Sequence, residues 1–271
     1  MIELPKIEDP RGNLSFIEHG PKGVCPFEIE RVGWIYDVVA GGTLSPREGC
    51  RSSEMIVAMS GSLDVVTDNK AAQTRRIHLN RSDRGVVAGP GEPLVLDNFS
   101  TNAVAMILGG GPEEKNRPKR LTADPHPASD VADVRVIELP RERVGHGSRT
   151  VVENGAAWLP FDVRRVFYLY DVPADSERGG HSHYEACELM VALTGSFDVV
   201  LDDGKHEPRR FTLNRPYRGL YIPTGLWRTL DSFSGGAVCL VLTSERYSEA
   251  DYVRDYEQFR TLTKRQQDEK I

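Results

Sequence analysis

Short runs of β-branched and aromatic residues, each followed by a turn sequence, recur along the chain. In the second half the turns are Asp-Asp-Gly, Asn-Arg-Pro, Pro-Thr-Gly and Ser-Gly-Gly, which favour tight connections between strands. Short strands at this spacing are typical of an antiparallel sandwich or barrel, of which the jelly roll is the two-sheet form. The pattern predicts strands at residues 165–172, 188–193, 196–201, 210–213, 219–222 and 237–243.

One segment near the C terminus has helical spacing instead. Ser248, with Asp251 three residues later, forms a capping-box pattern, which marks the start of a helix. We therefore expect a short C-terminal helix that begins at Ser248 and packs across an open face or edge of the second barrel. Its apolar positions are Tyr252, Val253, Tyr256 and Phe259.

The pattern of strands occurs twice at a constant offset. Matching words stand 134 positions apart, and no gap is needed between residues 26 and 108 of the first copy. So many matches in one register indicate duplication and fusion of one unit. The matching pairs include Arg31 and Arg165, Tyr36 and Tyr170, Gly61 and Gly195, Asn80 and Asn214, and Asp97 and Asp231.

A segment rich in glycine, proline and charged residues separates the two copies, between about Gly109 and Asp133. Each copy begins near its own Ile-Glu-Leu-Pro, at Ile2 and at Ile137. The fold class is therefore all-β, with two tandem barrels and a short C-terminal helix. We expect a degenerate N-terminal repeat at 1–110, a linker at 111–134 and a C-terminal repeat at 135–271.

Composition restricts the classes of partner. The 271 residues are 39% hydrophobic and 27% charged, with a formal net charge of −6, as in an ordinary soluble globular protein. We expect no nucleic-acid partner, because no basic stripe is present to follow a phosphate backbone. The chain has no charged-then-apolar N-terminal signal and no apolar run of membrane-span length. We therefore expect no membrane partner and a cytoplasmic location.

The strongest chemical signal is the sequence His181-Ser182-His183. On a strand the two imidazoles point to the same side, because side chains alternate with a period of two. Glu188 follows His183 after four intervening residues, and Gly195 closes the stretch. This spacing resembles the first conserved motif of the cupin superfamily, in which a His-x-His pair and a Glu surround a site in the mouth of a small jelly roll.

The second cupin motif is also present, as Gly219, Pro223 and Gly225. Three positions after the last glycine, metal-binding cupins have a third histidine, where this chain has Arg228. A guanidinium stays positively charged and repels a divalent ion, so we expect no metal and no cofactor. Two other interpretations stay open. The two histidines with Glu188 could hold an ion with water, or they could be ordinary core residues.

Further words of the second copy match one cupin family, and they stand at residues 160–166, 168–173, 178–183, 195–204, 213–216, 219–223, 226–228 and 251–256. By these words the second copy resembles the WxcM-like cupins, the sugar 3,4-ketoisomerases of nucleotide-linked 4-keto-6-deoxyhexoses. The family usually has His-Ala-His where this chain has His-Ser-His. The resemblance implies conversion of a dTDP-4-keto-6-deoxyglucose-type substrate to its 3-keto isomer without a metal, for deoxysugar biosynthesis. A dTDP-linked keto-deoxysugar is the expected partner.

Moving a carbonyl from C4 to C3 requires removal of the C3 proton, an enediolate, and return of a proton to C4. A histidine suits both proton transfers near neutral pH. We assign His181 as the base and His183 as its orienting partner or the proton shuttle. Arg178 is expected to stabilise the enediolate, and Tyr168 or Tyr170 to donate a hydrogen bond to a sugar oxygen.

Binding of the nucleotide-sugar needs cations for the diphosphate and flat rings for the base. Arg165 and Arg215 are weaker candidates, because arginines recur at the same positions of the first copy. Each arginine could equally lie on a solvated strand edge, and Trp227 could be a core residue. The expected substrate-binding residues are Glu188, Arg210, Arg218, Tyr221, Trp227 and Arg228.

The first copy has lost both histidines. Arg47 and Gly49 stand at their positions, and Leu94 stands at the position of Arg228, so we expect no isomerase chemistry there. Arg47 and Arg51 could still bind an anion. We expect either a homodimer or a monomer that acts as an internal pseudo-dimer. Two other functions stay open: a dTDP-sugar 3,5-epimerase-like enzyme, and a non-catalytic bicupin that binds nucleotide-sugars.

Overall fold

The structure is a computed structural model that describes residues 1–21, 23–45, 52–68, 74–111 and 130–268. The regular secondary structure of the described residues is almost entirely antiparallel strand, which confirms the predicted all-β class. The strands of the first copy are β1 (Ile2–Glu3), β2 (Lys6–Ile7), β3 (Asn13–Glu18), β4 (Ile29–Tyr36), β5 (Glu54–Ser60), β6 (Leu63–Asp68), β7 (Thr74–Leu79), β8 (Arg84–Ala88), β9 (Leu94–Asp97) and β10 (Val104–Gly110).

The second copy follows the same order and ends in a helix, α1 (Tyr256–Asp268). Short 3-10 helices lie at Val131–Asp133 and Glu249–Asp251. Its strands are β11 (Arg135–Glu138), β12 (Arg141–Val144), β13 (Gly147–Glu153), β14 (Arg165–Tyr170), β15 (Arg178–His183), β16 (Glu188–Thr194), β17 (Phe197–Asp202), β18 (Arg209–Leu213), β19 (Arg218–Ile222), β20 (Trp227–Asp231), β21 (Val238–Thr243) and β22 (Tyr252–Val253).

The strands form two larger and two smaller sheets. The first large sheet has the order β1-β8-β5-β10-β4-β13-β12, and its smaller companion is β7-β6-β9. Ile35 and Ile56 from the large sheet share one buried core with Leu63 and Leu96 from the small one, which is the layering of a jelly roll. The other sheets have the orders β11-β19-β16-β21-β14-β3-β2 and β18-β17-β20-β15-β22.

The folded chain divides into two compact units that are not the two repeats. Unit 1 contains Met1–Ile7, Ser15–Arg120 and Leu139–Val163. Unit 2 contains Glu8–Leu14, Leu121–Glu138 and Arg164–Ile271. Each unit therefore includes a segment from the other repeat. The bounds of the two repeats in the sequence therefore differ from the bounds of the two compact units in the fold. Most of the expected linker, residues 112–129, lies outside the described residues.

The duplication predicted from sequence is repeated in the geometry of a turn. Gly61 and Gly195 both have a φ of +63°, a conformation that glycine adopts without strain. In each turn the serine after the glycine donates its backbone N–H to a second serine side chain, Ser62 to Ser100 at 2.8 Å and Ser196 to Ser234 at 2.9 Å. Equivalent positions thus form equivalent structures.

The expected helix start at Ser248 is wrong. Ser248 precedes a 3-10 turn and makes no side-chain capping hydrogen bond, and the chain then extends into β22. The α-helix begins at Tyr256, where Asp255 accepts a hydrogen bond from the Gln258 backbone N–H at 2.6 Å. Phe259 is buried, so the helix covers one side of the barrel. No helix in the described ranges is long and apolar enough to cross a bilayer.

We predict that a fragment of residues 130–271 is less stable than the whole chain. In the fragment β13 loses β4, the strand with which it pairs, and unit 2 loses Glu8–Leu14. Unpaired strand edges favour association and aggregation. Circular dichroism melting and size-exclusion chromatography of fragment and full chain test this. A monomeric fragment with the melting temperature and activity of the full chain would contradict it.

Candidate active site

The histidine strand β15 is shaped by two glycines that precede His181. Gly179 and Gly180 have φ values of +84° and +68°, and the β15–β20 pairing shifts register between Gly179 and His181. A Cβ on Gly179 would lie 2.7 Å from the Arg228 carbonyl oxygen, so the position requires glycine. Past this irregularity His181 pairs with Arg228 across the two strands.

Both motifs identified from sequence meet at this point. The backbone N–H of Gly225, in the second motif, donates to the carbonyl of His183, in the first, at 2.8 Å. This bond helps to hold the strand that carries Arg228 beside the histidine strand. His181, His183, Glu188 and Arg228 therefore come together as the sequence predicts.

A buried ion pair lies at the centre of the cluster. Arg228 Nε is 3.0 Å from Glu188 Oε2, and both side chains have 0% exposure. His183 Nε2 is 3.3 Å from the other carboxylate oxygen of Glu188. Among the described residues, Nη1 and Nη2 of Arg228 have no hydrogen-bond partner. The guanidinium therefore has free donors inside the barrel.

Asp251 and Tyr252, which the sequence analysis did not assign to the site, complete it. Asp251 Oδ2 lies 2.9 Å from His183 Nδ1, and Asp251 is 9% exposed. The contact is at hydrogen-bonding distance but is bent away from ideal alignment. Both residues belong to the segment 251–256, which is one of the stretches that carry the resemblance to the family. That resemblance did not indicate which residues of the segment lie in the site.

Tyr252 forms one wall beside both histidines. Its ring centroid lies 5.0 Å from that of His181 and 4.4 Å from that of His183. The Tyr252 hydroxyl accepts a hydrogen bond from Arg165 Nη1 at 3.4 Å, and Arg254 lies over the ring at 4.2 Å. These contacts fix an aromatic surface against the imidazoles.

The environment sets the protonation of His181 and Glu188. Burial, followed by the nearby charges of Arg228 and His183, lowers the pKa of His181 to about 3, so this ring is neutral at physiological pH. Burial alone raises the pKa of Glu188, but Arg228 and His183 outweigh it and the pKa is lowered to about 2. Neither ring nitrogen of His181 has a hydrogen-bond partner in the described part of the chain.

The same residues also have the donor atoms of a metal site. Ligand atoms of His181, His183 and Glu188 lie within 4.8 Å of one another, which is close enough to hold an ion. However, Arg228 contacts one oxygen of Glu188 and places a permanent positive charge at the site. This donor set is therefore electrostatically poor for a divalent cation.

Arg178 lies at the start of β15, and the segment before β3 holds its guanidinium. Its Nη1 donates to the carbonyl of Gly12 at 3.0 Å and lies 3.8 Å from Asp9. Burial lowers its pKa. Because Asp9 and Gly12 come from the first repeat, that repeat contributes directly to the surroundings of β15. Arg228 is a second arginine that could stabilise an enediolate.

Tyrosines 168 and 170 are both buried on β14, with ring centroids 5.8 Å apart. Tyr221 is buried as well. Its hydroxyl donates to Cys187 Sγ at 3.6 Å, Arg135 lies 4.9 Å from its ring centroid, and burial raises its pKa. These contacts make Tyr221 part of the packing between strands.

The other expected binding residues have local partners. Arg210 contacts Asp198 and Asp231 at 2.9 and 2.5 Å, and Arg218 contacts Glu138 at 2.6 Å. Trp227 packs against α1, with its ring 5.7 Å from that of Phe259. Their role in substrate binding stays a prediction.

Unit 1 retains the glutamate, as Glu54, but a different arginine forms the ion pair with it. Arg31 Nη2 lies 2.7 Å from Glu54 Oε1, and Leu94 stands where unit 2 has Arg228. Arg31 fits because its strand partner is Gly109, where a Cβ would lie 2.3 Å from the Arg31 Cζ. Arg47, Gly49 and Arg51 lie outside the described residues.

One protein family matches both halves of the chain. The model of this family, described as FdtA: WxcM-like, C-terminal, matches residues 1–114 and again residues 132–264. The chain belongs to this family. As a member with two copies of the family domain, it is a tandem cupin, which agrees with the internal repeat.

The named relatives each match about half of the chain. A TDP-4-oxo-6-deoxy-alpha-D-glucose-3,4-oxoisomerase from Aneurinibacillus thermoaerophilus is 35% identical over 126 residues, which are 46% of this chain and 89% of that protein. A 3,4-ketoisomerase from Helicobacter canadensis is 34% identical, covering 49% of this chain and 98% of its own, with a TM-score of 0.46. A mutant of the 3,4-ketoisomerase QdtA from Thermoanaerobacterium thermosaccharolyticum, in complex with TDP-4-keto-6-deoxyglucose, is 33% identical, covering 50% and 97%, with a TM-score of 0.47.

We predict that Arg228→Met destabilises the protein by about 3–5 kcal/mol, because it leaves the Glu188 carboxylate buried without its partner. The double variant Arg228→Met/Glu188→Gln should recover much of this loss. Urea unfolding gives the free energies. Arg210→Met is the control, since its side chain is 51% exposed, and it should have a much smaller effect. Equal losses for Arg228→Met and Arg210→Met would contradict the prediction.

We also predict that the free energy of unfolding decreases as the pH is lowered, because of His181. Its pKa is about 3 in the folded chain and ordinarily 6.5, so the unfolded chain binds the proton first as pH falls. The contribution of His181 is therefore fully present above about pH 6.5 and is lost progressively towards pH 3. In urea unfolding at pH 7 and pH 5, His181→Gln should lose less stability than the wild type. The exposed His146→Gln is the control and should match the wild type.

Proposed function

We propose that the protein is a nucleotide-sugar 3,4-ketoisomerase, which interconverts a dTDP-4-keto-6-deoxyhexose and its 3-keto isomer. The observation that carries this proposal is a neutral His181 that lies beside His183 and next to the buried ion pair of Glu188 and Arg228. The activity named for the curated relative supports the same reaction.

His181 is the proposed base. Its neutral ring takes the proton from C3, the electrons of that C–H bond form the C3–C4 double bond, and O4 becomes an anion. The hydroxyl proton of O3 then passes to the O4 anion, a proton is delivered to C4, and the electrons of the double bond and of O3 leave the carbonyl at C3. The net change is isomerisation, and no external oxidant is required. Both proton transfers are within the chemistry of imidazole.

Arg228 is the proposed stabiliser of the enediolate. Its two free Nη donors are buried, where a charge-assisted hydrogen bond to an oxyanion is stronger than in water. Arg178, Tyr168 and Tyr170 remain proposed contacts to the sugar. Glu188 acts on the substrate through Arg228 and His183, whose positions it fixes.

The second repeat is the proposed catalytic half, and we propose a monomer that acts as an internal pseudo-dimer. The internal pseudo-dimer is supported by Glu8–Leu14, a segment of the first repeat that belongs to unit 2. A single chain thus supplies to the second repeat a segment from the other copy of the domain. In unit 1 the Arg31–Glu54 pair supports a structural role.

The test is incubation of the full chain with dTDP-4-keto-6-deoxyglucose in deuterated water, followed by NMR of the sugar. We expect the 3-keto isomer with deuterium at C4. His181→Asn should lower kcat by about 10²–10⁴-fold, since it removes the base.

His146→Gln is the control for this assay and should leave turnover unchanged. Deuterium at C5 would indicate 3,5-epimerisation instead. Binding of the substrate without any incorporation of deuterium would indicate a non-catalytic binding protein. Full turnover by His181→Asn together with loss of turnover by His183→Asn would reverse the assignment of the base.

A further inference from the structure

The carboxylate of Asp251 is held by the turn that follows the histidine strand. Its Oδ1 accepts the backbone N–H of Glu185 at 2.6 Å, and its Oδ2 accepts that of Ala186 at 3.3 Å. The backbone carbonyl of Asp251 also accepts the N–H of Tyr184 at 3.0 Å. Three hydrogen bonds thus fix the acid relative to the strand that carries His183.

This fixed carboxylate faces one nitrogen of His183. Oδ2 lies 2.9 Å from Nδ1, and the imidazole is 3% exposed. A carboxylate can only accept hydrogen bonds, so this short contact, although bent away from ideal alignment, is favourable when the proton is on Nδ1. The arrangement therefore selects the form of His183 that is protonated at Nδ1.

The opposite nitrogen faces a second carboxylate. Nε2 of His183 lies 3.3 Å from Glu188, whose other oxygen is engaged by Arg228. With a proton on each nitrogen, His183 and Arg228 carry two positive charges against the two negative charges of Asp251 and Glu188. The buried cluster is then neutral, as burial of charge requires.

We propose that Asp251 is a positioning residue, which holds a proton on Nδ1 of His183 and fixes the ring as a proton donor beside the base His181. The inference rests on the proposed isomerase function. The two imidazole centroids are 5.0 Å apart, with the rings nearly perpendicular at 78°. His181 takes the C3 proton, the Nε2–H of His183 supplies the proton for C4, and a proton returns from His181 to His183 after turnover. Tyr252 packs against both rings and limits their rotation.

The first measurement needs no substrate. Long-range ¹H–¹⁵N NMR of the full-length chain at pH 7 reports which ring nitrogens carry protons, and the signals of His183 are assigned by their loss in His183→Gln. We expect a protonated Nδ1. A Nδ1 without a proton would overturn the proposal.

The second measurement uses Asp251→Asn, whose amide can donate a hydrogen bond to Nδ1 and so displaces the proton from it. The Nδ1 signal should change to that of an unprotonated nitrogen. The kcat should fall by at least about 10²-fold, as expected when an acid that sets the tautomer of a histidine is removed, with KM little changed. Asp255→Asn is the matched control, because Asp255 caps α1 and its variant should retain wild-type kcat.

The outcomes separate the two proposals. A folded Asp251→Asn with wild-type kcat would overturn the role of Asp251. If Asp251→Asn does not fold, the ring nitrogens of the wild type decide. If the wild type does not isomerise the sugar, the proposed function fails, while the NMR result still decides whether Asp251 sets the protonation of His183.

Discussion

The buried contact between Arg228 and Glu188 is the interaction on which the site depends. A charge removed from water is stable in the interior only when an opposite charge lies close to it. Glu188 meets this requirement by contacting Arg228 and His183, and His183 in turn faces Asp251. Four elements of unit 2, β15, β16, β20 and the turn before β22, are thereby fixed around His181. Burial, together with the positive charge of Arg228, lowers the pKa of His181 and keeps its ring neutral, so that the ring can accept a proton.

Unit 1 retains the glutamate, as Glu54, although it lacks both histidines, and the comparison with unit 2 gives a structural reason. A buried carboxylate needs a cation, and unit 1 supplies it from Arg31 because Gly109 leaves room for that side chain. In unit 2 the position opposite Arg165 is Thr243. Arg165 instead contacts the hydroxyl of Tyr252, and Arg228 takes the place beside the glutamate. One structural requirement is thus met by two different arginines.

Sequence reasoning succeeded where the signal was local or repeated. The duplication follows from a constant offset, and the common side of the two histidines follows from side-chain alternation. The resemblance to the two cupin motifs placed Glu188 and Arg228 beside them. It failed at Ser248, because a capping pattern is a weak local preference, and pairing of Tyr252–Val253 with β15 overrides it. Asp251 and Tyr252 were missed because 68 positions separate His183 from Asp251, and no local pattern links them.

The sequence by itself determined the all-β class, the two copies of one family domain and the half that retains the histidines. Tertiary structure alone decided that residues 8–14 lie in unit 2 and residues 139–163 in unit 1, and that Asp251 faces His183. The physical reason is that a strand's sequence encodes which side chains are buried, whereas its partner is selected by the packing and hydrogen bonding of the whole sheet. Charge balance in a buried site likewise depends on residues brought together only by folding.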